Sequence, residues 1–227
     1  MSKLKRLAAP PFWPIEVKTK KYVVKPMPGP HSLKTSFPLG VVLRDILKYA
    51  ETMKESKQIL NKGVVKVDGK VRKEHSFPVG LMDIVEVDNE IYRILANKKG
   101  LYLKKIDKKE LFKLARIEDK QYLKGIKLQL NLHDGKNMVV DKDEYKTGDV
   151  LVLDLNNKIK QALKFNVNAV AMIISGRNIG EIVTIKKIII TKSPQPNIVV
   201  VDLHGSEVPV PKDYIFVLGI DKPVISV

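Results

Sequence analysis

The sequence predicts an α+β, multidomain protein: a basic extended arm, a small α/β module of two helices and a hairpin, and a β-rich remainder. Three observations support this prediction. Six of the 13 prolines lie in residues 1–36, two amphipathic helical patterns and a hairpin signal follow in residues 37–87, and short alternating strands separated by turns fill residues 88–227. A length of 227 residues with a hydrophobic fraction of 44% suffices for more than one folded core.

Residues 1–36 lack a sustained helical or strand period, which predicts an extended arm. Such a segment is expected to bury too little apolar surface to order itself, and to fold only against a partner. Phe12 and Trp13, flanked by prolines, either pack on a neighbouring domain or stack on a base. Packing is the favoured interpretation, because isolated aromatic side chains more often cover apolar surface.

The module in residues 37–87 is expected to begin with two helices. The first opens at Pro38, whose missing N–H suits a first helical position. Its apolar stripe comprises Leu39, Val42, Leu43, Ile46, Leu47 and Ala50. The second begins with a capping box of Thr52 and Glu55 and ends at Gly63, where glycine can adopt the left-handed conformation.

A tight hairpin is predicted next, because Asp68-Gly69 stands between alternating valines. Basic side chains converge from both helices and from this hairpin, which predicts an RNA-contacting surface. They are Arg44, Lys48, Lys54, Lys57, Lys66, Lys70 and Arg72. For Lys54 and Lys57 a second interpretation stays open, since Glu51 and Glu55 lie at the spacing of an ordinary solvated helix face.

The remaining sequence reads mainly as short strands. Residues 77–87 are predicted to turn and then run as an alternating strand, and further strands are predicted at 90–96, 100–106, 127–132, 137–140, 150–155, 180–190 and 198–203. Residues 169–174 form an apolar run, and residues 212–218 close the chain. Residues 108–117 are ambiguous, because their apolar residues also fit a helical period. Short strands with turns between them favour a small barrel or a compact sheet.

The net charge of +16 indicates a polyanionic partner, and counterion release makes nucleic acid the first candidate. The charge is uneven: residues 1–36 carry eight Lys and Arg against Glu16 alone, whereas residues 171–227 are nearly neutral. The arm's predicted RNA contacts are Lys3, Lys5, Arg6, Lys18, Lys20, Lys21, Lys25, His31 and Lys34. No apolar run approaches the ~18 residues of a membrane span, so a cytoplasmic protein without a membrane partner is expected.

No catalytic, cofactor or metal site is predicted. The chain has no cysteine, and its four histidines are too far apart in sequence for a zinc motif. Residues 63–70 depart from the phosphate-binding loop motif in glycine spacing, and Val71 replaces its Ser or Thr. The acidic run at 141–144 lacks the glycine and distal glutamate of a calcium loop.

Several of these motifs, in this order, resemble one family. They are LKRLAAP at 4–10, GPH at 29–31, PLGVVLRD at 38–45, VKVDGKVR at 65–72, FPVGLMD at 77–83 and IFVLG at 215–219. Together they resemble the archaeal and eukaryotic small-ribosomal-subunit proteins of the S4e family, over nearly the whole chain. The lysine- and isoleucine-rich composition favours an archaeal-type member.

The resemblance implies a structural protein of the cytoplasmic small ribosomal subunit that binds small-subunit ribosomal RNA and neighbouring ribosomal proteins. It implies an arm at 1–36, an S4-like RNA-binding module at 37–87, a β-rich central domain at 88–168 and a C-terminal KOW element at 169–227. A KOW element is a small SH3-like β-barrel, here opened by SGRNIG at 175–180. Arg177 and Asn178 in that loop are interpreted equally well as RNA contacts or as turn residues.

Two rival functions follow from the same modules. Pseudouridine synthases carry a similar helix-hairpin appendage, but the Arg-Leu-Asp motif of their catalytic domain is absent from this sequence. A dissociable translation or transcription factor is the other alternative. Neither a small-molecule substrate nor a homo-oligomer is expected.

Overall fold

The computed structural model describes residues 3–123 and 127–226, apart from the side chain of Lys109. The first two residues of the predicted arm, the last residue of the predicted barrel and residues 124–126 lie outside this description. The chain divides into two compact units. One comprises the residues up to Leu95 together with Leu101–Lys109, and the other comprises Ala96–Gly100 and the residues from Glu110 onward.

The first unit contains three small sheets and both α-helices of the described residues. Its strands are β1 Leu4–Lys5, β2 Tyr22–Val23, β3 Ser36–Pro38, β4 Val65–Val67, β5 Lys70–Val71, β6 Pro78–Gly80, β7 Ile84–Val87, β8 Glu90–Asn97 and β9 Gly100–Lys105. The residues that join β8 to β9, Ala96–Gly100, belong to the second unit. Strands β1 and β2 pair, β3 pairs with β6, and the order β5-β4-β7-β8-β9 forms a five-stranded sheet. This sheet continues past Val87, the predicted end of the module, because β7 pairs with β8.

The arm is packed on the module, so the prediction that it orders only against a partner is wrong. Trp13 is 2% exposed and belongs to the same core as Phe37 and Leu43. Its indole N–H donates a hydrogen bond to the Ser36 carbonyl at 2.9 Å. The Phe12 ring meets Phe37 edge-on with centroids 5.0 Å apart. Packing was therefore the correct interpretation of both aromatic residues.

The first helix is much shorter than its apolar stripe predicts. Helix α1 spans Leu39–Val41 and passes into a π-helical segment, Val42–Ile46, in which the Leu47 N–H bonds to the carbonyl of Val42. Pro38 is the N-cap in an extended conformation and also ends β3, so it is not the first helical residue. The stripe is still largely buried, because the wider π turn keeps these side chains on one side.

The second helix and the hairpin follow the sequence rules. Helix α2 spans Met53–Asn61; the Glu55 N–H donates to Thr52 Oγ1 at 3.2 Å, and Glu55 Oε2 accepts from the Glu51 N–H at 2.9 Å. Gly63 follows the helix with φ at +77°. Asp68 and Gly69 both have positive φ and join β4 to β5, which is the geometry of a two-residue hairpin turn.

The second unit contains two five-stranded antiparallel sheets. Their strands are β10 Phe112–Tyr122, β11 Leu128–Leu132, β12 Asn137–Val140, β13 Val150–Asp154, β14 Ile159–Leu163, β15 Val170–Ile173, β16 Ile182–Ile189, β17 Ile198–Leu203, β18 Ser206–Pro211 and β19 Ile215–Gly219. The strand orders are β12-β11-β10-β13-β14 and β18-β17-β16-β15-β19. The ambiguous residues 108–117 form a 3₁₀ turn, Lys108–Glu110, followed by the start of β10.

The described residues are thus mostly β with few helices, which confirms the α+β prediction only in coarse form.

A buried ion pair lies in the second unit, where the Lys113 ammonium is 2.8 Å from Asp134 Oδ2. Arg116 donates to the carbonyls of Asp213 and Ile215 at 2.8 and 2.9 Å, which ties β10 to the start of β19. Within the described ranges, every helix falls short of the length and apolarity that crossing a bilayer requires.

Candidate nucleic-acid interface

The arm hairpin of β1 and β2 presents a cluster of cations around one aromatic ring. The ammonium groups of Lys3 and Lys21 lie 5.3 and 5.6 Å from the centroid of the Tyr22 ring, and Lys5 is the cross-strand partner of Tyr22. All four side chains are exposed. Sequence reasoning did not single out Tyr22, although its place directly after two lysines is a usable signal.

Arg6 and His31, both predicted RNA contacts, are engaged inside the first unit. The Arg6 guanidinium donates to the Ile15 carbonyl through Nε at 3.1 Å and also through Nη2. The His31 side chain is 5% exposed, with Nε2 2.8 Å from Asp83 Oδ2. Its ring covers Gly80, where a Cβ would overlap it. His31 therefore connects the arm to the module, and its side chain is too little exposed to contact RNA.

The remaining arm lysines, Lys18, Lys20, Lys25 and Lys34, are all exposed. Lys18 has φ at +69° in the loop before Lys20. Lys34 lies in the 3₁₀ turn Leu33–Thr35 that leads into β3. These side chains add positive charge to the surface of the first unit because the arm itself is folded there.

Arg44 and Lys48 are brought beside Lys20 by the packing of the arm. All three line a groove of about 610 Å³ whose other walls include residues 14–16 of the arm. The Arg44 guanidinium is paired with Asp45 through Nε at 3.0 Å and Nη2 at 2.8 Å. Lys48 follows the π-helical segment with φ at +58°.

Helix α2 presents Lys54 and Lys57 to solvent, and neither is ion-paired among the described residues. His75 lies near Lys57, and its Nδ1 is 2.7 Å from Glu74 Oε1. Burial and then the charge of Lys57 lower the pKa of His75, so this imidazole is neutral near pH 7. The positive charge on this face therefore comes from the lysines.

The β4–β5 hairpin exposes Lys66 and Lys70 but holds Arg72 back. Lys66 lies opposite Val71 in the hairpin and opposite Glu86 on β7. The Arg72 guanidinium stacks 4.3 Å from the centroid of the Phe77 ring, and the residue is partly buried. Its cation–π contact fixes its orientation, whereas the two lysines extend into solvent.

Arg177 and Asn178 belong to the second unit and are considered separately. Arg177 is exposed, and the Asn178 carbonyl accepts a hydrogen bond from the Glu181 N–H at 3.3 Å. Gly176 has φ at +90° and packs against Tyr214. Glu181 pairs with Lys98 at 2.8 Å, a hydrogen bond that lowers the pKa of its carboxyl.

The chemistry available at these surfaces is the binding of phosphate, ribose and bases. Among residues 3–123 and 127–226, no group of three or more His, Asp or Glu side chains is arranged to hold a metal ion. Exposed lysines spread over a folded arm, a short helix pair and a hairpin suit a long polyanion better than a compact substrate.

These features define a basic nucleic-acid-binding protein built around a small helix-hairpin module, and the family models specify the class. Residues 38–85 match the S4 domain, residues 2–34 the RS4NT (NUC023) domain, and residues 88–159 the ribosomal family S4e. The chain belongs to the ribosomal S4e family.

Relatives cover the whole length of the chain. It is 44% identical to the small ribosomal subunit protein eS4 of Methanothermobacter thermautotrophicus, over 98% of this chain and 94% of that one. It is 41% identical to the eS4 protein of Pyrobaculum islandicum, over 100% and 99% of the two chains. The crystal structure of the 30S ribosomal protein S4e from Thermoplasma acidophilum is similar with a TM-score of 0.71 and 32% identity, over 82% of this chain and 94% of that one.

Proposed function

We propose that this protein is a structural constituent of the small ribosomal subunit in the cytoplasm, where it binds and stabilises small-subunit ribosomal RNA and so supports translation. The observation that carries the proposal is the packing of the basic arm on the S4 domain. Trp13 and His31 fix the arm, so its exposed lysines and those of the module belong to one folded unit. Family membership and the names of the relatives support the same function.

The proposed mechanism is electrostatic and geometric, without bond chemistry, catalysis or a cofactor. Exposed lysines neutralise phosphates that RNA folding brings close together, and the released counterions drive binding. RNA helices present mainly their shape, phosphates and 2′-hydroxyls, so a junction is recognised by its form more than by its base sequence. Neighbouring ribosomal proteins are the proposed protein partners.

The finer domain plan is part of the proposal: an arm at 1–36, the module at 37–87, a central domain at 88–168 and a KOW-type SH3-like barrel at 169–227. The last assignment is supported by strand order, since β15 to β18 form a meander and β19 returns to pair with β15. A 3₁₀ turn, Lys212–Tyr214, precedes β19. In this barrel Arg177 and Asn178 contact RNA or shape the turn, and crosslinking distinguishes the two.

The first experiment is crosslinking of the protein to RNA in native cell extract, with crosslinked peptides and nucleotides both sequenced. Crosslinks from the arm and the module to one small-subunit rRNA junction are expected. The protein should also stay with the small subunit, at about one copy each, through a high-salt sucrose gradient. Crosslinks scattered over other transcripts, or release at high salt, would instead support the dissociable factor.

A charge-reversal pair tests which surface carries the affinity. Lys66→Glu with Lys70→Glu reverses two exposed charges of the hairpin, and Lys187→Glu with Lys192→Glu makes the same change in the second unit. We expect the first pair alone to weaken binding to a small-subunit rRNA transcript and to reduce the salt slope by about one per lost phosphate contact. Equal effects from both pairs would assign the affinity to net charge.

A further inference from the structure

The groove between the arm and the end of the first helical turn is lined by charges of both signs. Its lining combines three cations with three carboxylates: Lys20, Arg44 and Lys48 with Glu16, Asp45 and Glu51. Its volume of about 610 Å³ lies within the ~300–1,000 Å³ typical of small-molecule sites. This volume suits a single nucleotide better than a duplex.

The Arg44 guanidinium is fixed on one side and has no partner on the other in the part of the chain that the structure describes. It lies at the centre of the π-helical segment Val42–Ile46, and insertions of this kind often occur at functional sites. Asp45 takes its Nε and Nη2 atoms, and the side chains of this pair are 15% and 18% exposed. Nη1 has no protein partner among the described residues, so one edge of an immobilised guanidinium is available to a phosphate.

The other charged side chains of the groove are left unpaired although opposite charges line the same space. Within the described part of the chain, the side chains of Glu16, Lys20, Lys48 and Glu51 form neither an ion pair nor a hydrogen bond. Lys48 also adopts a left-handed backbone conformation that glycine or asparagine would adopt with less strain. Residues in this conformation are enriched at ligand-binding sites.

We propose that this groove holds one unpaired nucleotide of the bound RNA, with its phosphate against Arg44 and Lys48 and its hydroxyl or amino donors against the carboxylates of Glu16 and Glu51. The inference rests on the proposed function and adds a defined subsite to it. A purely phosphate-binding groove gains nothing from unpaired carboxylates, whereas ribose hydroxyls and base amino groups need acceptors.

The test measures affinity of the full chain for a small-subunit rRNA transcript, together with base-specific chemical probing of that RNA. Arg44→Lys keeps the charge but removes the planar fork, and should weaken binding about tenfold. Lys48→Asn removes the charge but suits the backbone, and Lys73→Asn is the matched control outside the groove. Thermal unfolding of each variant verifies that it folds.

The carboxylates give the decisive readout. Glu16→Ala and Glu51→Ala remove the negative charge together with both acceptor oxygens, so a simple electrostatic surface would bind RNA more tightly after either change. The nucleotide subsite instead requires weaker binding and the loss of protection at one unpaired nucleotide. The subsite is wrong if the Glu16 and Glu51 variants both bind RNA more tightly, or if Arg44→Lys binds RNA as tightly as the wild type. Either result leaves the proposed function intact. A wild-type protein that does not prefer small-subunit over large-subunit rRNA overturns the proposed function itself.

Discussion

Trp13 reports whether the arm is folded in the free protein, because it is the one tryptophan of the sequence. It is 2% exposed, and its N–H is bonded to the Ser36 carbonyl. Its fluorescence in the RNA-free protein should therefore be blue-shifted and protected from acrylamide. Adding RNA should change neither property, since the indole is already buried.

The cost of removing this side chain follows from its burial. A tryptophan that buries about 200 Å² at ~25 cal/mol per Å² contributes ~5 kcal/mol, and large-to-small core substitutions of aromatic residues cost ~3–5 kcal/mol. Trp13→Ala should lower the free energy of unfolding by that amount. Trp13→Phe should cost about 1–2 kcal/mol, chiefly for the unpaired Ser36 carbonyl. Urea titration followed by circular dichroism measures both.

Leu7→Ala is the control, because Leu7 lies in the same arm but is 88% exposed and should cost less than about 0.5 kcal/mol. Two results would refute the reasoning. One is free quenching of Trp13 without RNA and protection only after RNA is added. The other is a Trp13→Ala variant as stable as Leu7→Ala. Either result would restore the expectation that the arm folds on binding.

Three further predictions concern stability. Burial disfavours the charged form of Asp134, but the positive charges of Lys113 and Lys136 outweigh burial and lower the pKa of Asp134 to about 2. The stabilisation from the Lys113–Asp134 ion pair is therefore present above about pH 4 and is lost as the pH falls toward 2. Acid titration of Asp134→Asn should lack that loss, while at pH 7 the variant should be about 3–5 kcal/mol less stable in urea because Lys113 stays buried. Lys48→Gly should raise the free energy of unfolding by about 0.5–1 kcal/mol, as glycine relieves the positive φ; an unchanged urea midpoint would contradict this. Gly180→Ala should lower the melting temperature, because the φ of Gly180 is +86° and the new Cβ would overlap the backbone of the β8–β9 turn. Gly205→Ala is the control, because Gly205 also has a positive φ but a Cβ there would meet no neighbour in the described part of the chain.

Features with a local cause were predictable from the sequence. The capping box of Thr52 and Glu55 needs only four consecutive residues, and the Asp68-Gly69 turn needs only positive φ between two short strands. The π-helical segment was not predictable, because apolar spacing at three and four residues fits a wider turn as well as an α-helix. Burial along the stripe was therefore predicted better than the helix that carries it.

In the second unit, strands β14 and β18 were not predicted, because their signals are weak by themselves. Strand β18 contains Pro209 and Pro211, which sequence rules count against a strand. It lies at the edge of its sheet, where one side of the strand has no partner strand and a missing N–H is therefore tolerated. Strand β14 also lies at the edge of its sheet. The groove of Lys20, Arg44 and Lys48 was equally hidden, because residues about 25 positions apart in sequence meet there only through packing of the arm.

The packed arm changes the thermodynamics of RNA binding that its composition implies. A disordered arm would lose conformational entropy on docking, and this loss would offset part of the gain from counterion release. Here burial of Trp13 and the His31–Asp83 contact have already ordered the arm during folding. Unpacking should therefore weaken RNA binding without removing any charge. For Trp13→Ala we expect a higher Kd, because the unpacked arm must be ordered when it binds. We expect an unchanged slope of log Kd against log salt, because the same phosphates are neutralised. A lower slope would mean that unpacked arm lysines no longer reach the RNA, and an unchanged Kd would mean that the arm's order contributes nothing to affinity.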